Sequence, residues 1–179
     1  MVMVATATNT VDVERAALLR ILAEQRDFLL FTVRGLDDEQ ATRRTTASDL
    51  TLGGLVKHVT AVERNWMRFI REGSTRGKDV DYEDPATWEE HANTFRLLDG
   101  ETLAGVLADY ELAAKETEAF VNELPDLEVS HKLPDAPWFP KDTSWSARDV
   151  LLHMIRETAQ HCGHADILRE SLDGQKTMG

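Results

Sequence analysis

Glu157 and His161 stand four residues apart in the stretch ETAQHCGH, inside a segment otherwise patterned for a helix. On a helix that spacing sets them about 6 Å apart along the axis and on nearly the same face. A carboxylate and a neutral imidazole so placed can share one divalent ion, and the pair suits Zn²⁺ and related metals. Two ligands leave the coordination sphere incomplete. His58 is the best third ligand, because it lies among Leu55, Val56, Val59 and Val62, where an inward-pointing imidazole needs a polar partner. His58, Glu157 and His161 would then form a His₂Glu set with open positions for water or substrate. The same spacing also fits a solvated or salt-bridging pair, so the motif alone does not decide between a metal site and a polar helix face.

Other residues bear on that choice. His153 and His164 extend the same face one turn in each direction, so either could replace a ligand or support one from behind. Cys162 is about 100° around the helix from His161 and reads as a small packing residue. His91 and His131 fall in less regular segments and read as ordinary surface histidines. Trp66, Trp88, Trp138 and Trp145 could line a pocket, but tryptophans at helical spacing or beside prolines read as core or loop anchors, and no catalytic role is assigned to them.

Four segments carry the helical periodicity that must position these groups. The first, about Val11 to Leu36, spaces Leu18, Leu22, Leu29 and Val33 along one face. The second, about Leu52 to Glu72, follows Thr51 as N-cap and stops at Gly73. Its early Gly53 and Gly54 weaken the helix, which fits either a close backbone approach or a frayed first turn. A charged, glycine-containing loop from Gly73 to Asp84 is the segment expected to be most mobile, and a short helical piece from Pro85 to His91 follows it. The third long helix runs from about Glu101 to Leu124. A proline-rich connection, Pro125 to Trp145, is expected to cover one end of the fold. The fourth helix opens on the Ser146-x-x-Asp149 capping pattern and continues to about Leu172, with Gly174 as its stop.

No alternating stretch is long enough to anchor a sheet, so the pattern argues for an all-α helix bundle. The 179 residues, 42% hydrophobic, match one domain with a sizeable core. Residues 1–10 read as a disordered, frayed N-terminus and 11–174 as the bundle domain. Twenty basic against thirty-two acidic residues give a net charge of −12, a field that repels phosphate backbones and anionic lipid, so neither nucleic acid nor membrane is an expected partner. No apolar run reaches the roughly 18–20 residues that span a bilayer. A single cysteine, Cys162, suits the reducing cytoplasm.

Two stretches, TLGGLVKHVTAVERNW (51–66) and WSARDVLLHMIRETAQHCGHADILRESLDG (145–174), together resemble the DinB superfamily of bacterial four-helix-bundle metalloproteins, the DinB/YfiT-like kind, most closely a branch common in actinobacteria. The resemblance implies an up-down-down-up four-helix bundle. It also implies a divalent metal held by one histidine of the second helix and two residues one turn apart on the fourth, positions that fall here on His58, Glu157 and His161. Many relatives carry histidine where Glu157 stands; the carboxylate version is similar to mycothiol-dependent maleylpyruvate isomerases. The common His-Arg-Gly-Gln is represented here by His161-Cys162-Gly163-His164, which keeps His164 open as a ligand.

The family implies thiol-dependent transferases that use mycothiol or bacillithiol, alongside members without known activity. The expected function is a divalent-metal-dependent thiol S-transferase, with zinc as the first choice of metal, nickel or manganese as others, and mycothiol as cosubstrate. The metal would favour thiolate over thiol for attack on a small-molecule electrophile. A metal-dependent hydrolase or isomerase is the alternative, and a non-catalytic metal-binding bundle the third reading. Bundles of this family often pair, and exposed parts of the first and third helices offer a surface for a homodimer.

Overall fold

Local capping chemistry sets where the helices begin and end. In the computed structural model, which describes residues 3–73 and 81–177 (side chains from Asp12 onward), α1 spans Met3–Thr32, α2 Asp38–Thr42, α3 Leu52–Glu72, α4 Pro85–Asn93, α5 Leu103–Glu123 and α6 Ala147–Asp173. Thr51 and Thr102 accept from the backbone N–H of Gly54 and Gly105 and so cap α3 and α5. Ser146 and Asp149 form the reciprocal capping box that opens α6. Gly73 and Gly174, at φ of 74° and 82°, take the left-handed conformation that closes α3 and α6. α1 includes residues 3–10, the segment expected to be frayed, and ends before the expected Leu36. The centre of the loop expected to be most mobile, residues 74–80, lies outside the described residues.

Two small elements were not expected. Asp37 caps the single turn of α2. The proline-rich connection begins and ends in a two-stranded antiparallel pair, β1 (Ser130–Lys132) and β2 (Ser144–Ser146), with His131 opposite Trp145. Three-residue strands carry too little alternation to be read from sequence.

Cross-links between helices fix their directions. Arg148 pairs with Glu14, the Cys162 thiol donates to the Gln25 carbonyl, and Arg169 donates to the Thr32 carbonyl, so α1 and α6 run parallel. Lys57 pairs with Glu101 and Arg64 with Asp109, so α3 and α5 are also parallel. The His58 ring meets His161 while Trp66 meets His153, which makes α3 and α6 antiparallel. The bundle is therefore up-down-down-up, and the all-α expectation stands. No helix among the described residues is long and apolar enough to cross a membrane.

The core divides along the bundle axis. Leu22, Trp66, Phe69 and Leu151 fill one end, and Leu29, Leu55, Val56 and Tyr110 the other. Between them, buried Arg26 of α1 donates from Nε and Nη2 to both oxygens of buried Glu63 of α3, at 3.2 and 2.5 Å. Arg26 also donates from Nη1 to half-exposed Glu118 at 3.2 Å, and these bonds together make a buried guanidinium tolerable there.

Candidate metal centre

α3 and α6 cross where His58 and His161 face each other, with ring centroids 4.9 Å apart. His58 comes one turn after Gly54. A Cβ on Gly54 would stand 1.8 Å from the Phe95 carbonyl oxygen, so glycine is what lets the chain after α4 lie against α3. Close packing, and not a frayed turn, accounts for this glycine. Phe95 consequently stacks on the His58 ring at 3.7 Å, with the planes 18° apart.

Thr94, at the C-terminus of α4, decides which His58 nitrogen is available. Its Oγ1 donates to the His91 carbonyl at 2.7 Å, so the same oxygen must accept from His58 Nδ1–H at 3.1 Å. His58 is thereby assigned the tautomer that keeps its lone pair on Nε2. In α6, His161 Nε2 lies 3.8 Å from Glu157 Oε2, while its Nδ1 faces His164 Nδ1 at 3.4 Å. That arrangement suits an Nδ1–H donated to His164 and an Nε2 left for a ligand.

One donor atom from each of His58, Glu157 and His161 lies within 4.8 Å of the others. Donors bonded to one zinc-sized ion at about 2.0–2.2 Å approach more closely, so the three would close by about an ångström. Burial pushes the His58 imidazole down to about 3, helped by His161 and then His91, and pushes His161 down to about 4, helped by His164. Both rings are neutral at pH 7, the form that can ligate. Donor set, tautomers and protonation all fit a divalent ion.

The remaining expected residues separate clearly. His153 accepts from Arg156 at 2.6 Å through Nδ1 and turns Nε2 toward Glu157 Oε1, 4.0 Å away. Its ring packs edge-on to Trp66, and burial lowers its pKa against the pull of Glu157. His164 lies on the Nδ1 side of His161, away from the converging donors. Cys162 faces α1, and burial raises its thiol to about 11. His131 Nε2 donates to the Ile70 carbonyl and finishes α3 far from the site.

These donors form part of the wall of a cavity of about 700 Å³. All four tryptophans line it, as do His91 and Arg156; the pocket that the sequence allowed the tryptophans is present, while Trp66 is also a buried core residue. Thr94 and Phe95 were missed, and nothing in their local pattern marks them. The four tryptophans, two in helices and two in the proline-rich connection, were the one usable signal.

A search of curated proteins returns no match to the chain. A family model described as mycothiol S-transferase matches residues 17–174. The matched span runs from within α1 to the glycine that caps α6 and so contains His58, Glu157 and His161; the chain belongs to the mycothiol S-transferase family, within the DinB/YfiT-like superfamily.

Proposed function

We propose that the protein is a metal-dependent S-transferase that joins mycothiol to a small electrophile, with His58, Glu157 and His161 holding the ion. The observation that carries this reading is the convergence of two neutral imidazoles and a carboxylate on the wall of a large cavity, in a chain of this family. Zinc suits the donor set best. A divalent ion there supplies a centre of about +1 after one carboxylate, which favours thiolate over thiol.

The chain's own residues do the rest. Thr94 and His164 hold the two imidazoles by their Nδ1 atoms, and Phe95 shields the His58 ring from water. The cavity holds the electrophile beside the sulfur, so that part of the barrier is met by orientation. The sulfur–carbon bond forms with the thiolate's electron pair, the leaving group departs with the pair of the bond that breaks, and the thiol proton passes to water. No protein nucleophile is required, in keeping with a Cys162 thiol turned toward α1.

Metal content by mass spectrometry, followed by turnover of a halogenated bimane with mycothiol, tests this reading. Near-stoichiometric metal in the wild type, lost in His58→Ala and Glu157→Ala together with conjugate formation, is expected. Protein that stays empty after reconstitution with zinc, nickel and manganese would overturn it, and hydrolysis without added thiol would select the hydrolase alternative.

A further inference from the structure

The cavity is unusual in what covers its walls. Trp66 and Trp145, stacked at 5.0 Å, form one side, and Trp88 and Trp138, with Tyr82, form the rim. Trp138 and Trp88 are 57% and 48% exposed, so they are not there to fill a core; large apolar surface left at a cavity mouth marks a binding surface. Several polar groups of the wall are already engaged: the Thr87 hydroxyl donates to the Asp81 carbonyl, the Trp88 indole N–H to the Tyr82 carbonyl, and Thr94 is shared between His58 and the His91 carbonyl. The aromatic faces along this wall offer stacking area to a planar apolar ring.

One cation faces the same space. Arg156 lines the cavity and, among the described residues, makes no ion pair with a carboxylate; its one hydrogen bond runs from Nη2 to His153. Glu157, the neighbouring wall carboxylate, is drawn toward His153 and His161 instead. A guanidinium with most of its N–H groups unspent at an aromatic wall is a receptor for a carboxylate or a similar anion.

We infer that the electrophile is a planar aromatic compound bearing an acidic group, its ring held by the tryptophan walls and its anion by Arg156. This inference names a substrate class for the site proposed above and rests on that reading.

Calorimetric titration of metal-loaded protein, without thiol, with three unreactive probes tests it: biphenyl-4-carboxylate, biphenyl-4-carboxamide and cyclohexanecarboxylate. The planar acid is expected to bind roughly tenfold tighter than the planar amide, a preference that Arg156→Gln abolishes. Trp138→Ala is expected to weaken both planar probes several-fold and to leave the cyclohexane acid unchanged. No binding of the planar acid, equal binding of all three probes, or a preference that survives in Arg156→Gln because the acid goes to the metal would each overturn the inference. Turnover of the bimane by protein that ignores the planar acid would overturn this substrate class and leave thiol transfer standing. Selective binding of the planar acid without thiol turnover would do the reverse.

Discussion

A histidine is a metal ligand only if the right nitrogen is free, and here a hydroxyl decides it. Thr94 Oγ1 has one proton, which the His91 carbonyl takes, so it can only accept from His58. Thr94→Val should therefore weaken metal binding about 10- to 100-fold, and Thr94→Ser should restore it, as read by competition with a chromophoric chelator. Protonation supplies a second prediction. The folded values of about 3 for His58 and about 4 for His161 lie below the roughly 6.5 of an unfolded histidine. Between those values the unfolded chain binds more protons, so stability rises with pH and is lost as pH falls from about 6.5 toward 4. Urea midpoints of metal-free protein at pH 7 and 4.5 should show that loss, and His58→Gln should make it shallower. An equal loss in the variant would assign the acid sensitivity elsewhere.

At the scale of elements, two helical glycines that look alike in sequence do opposite things. Gly54 of α3 sits beneath the Phe95 backbone, with its added Cβ 1.8 Å from one oxygen and 2.4 Å from the carbonyl carbon. Gly163 of α6 would meet nothing within 4 Å. Gly54→Ala should destabilise by about 1–3 kcal/mol, despite the better helix propensity of alanine, and should also weaken metal binding by moving Phe95 off His58. Gly163→Ala should stabilise by about 0.5–1 kcal/mol. Urea unfolding of the two variants checks the signs; a stabilised Gly54→Ala would mean that α4 and its exit can drift from α3 without consequence.

The whole molecule is two apolar clusters joined through a polar layer, and the Arg26–Glu63 pair is the innermost part of that layer. Glu63→Ala leaves buried Arg26 with the half-exposed Glu118 as its one remaining carboxylate, so it should cost about 1–3 kcal/mol in urea unfolding. Replacing both, as Arg26→Met with Glu63→Leu, should recover most of it. A Glu63→Ala variant as stable as wild type would show that water reaches the pair. The same layer holds His58, Glu157 and His161 at mid-bundle, where the cavity opens between α3, α6, α4 with its Trp88 and the connection that carries Trp138.

What the sequence determined by itself is what chain-local physics controls. The 3.6-residue period put Glu157 and His161 on one face. Thr51, Ser146 and Asp149 opened α3 and α6, and Gly73 and Gly174 closed them at the expected positions. The four long helices followed from the same local patterns, and the stretches 51–66 and 145–174 carried the family resemblance. Tertiary structure alone decided the rest. Whether His58 meets His161, 103 positions later, depends on α3 and α6 running antiparallel and in register. The free nitrogen of His58 depends on a threonine from α4, and the tryptophans became one chamber only when three separate segments closed around it. Contacts between distant segments are fixed by how helices pack, and no local period in the chain encodes that.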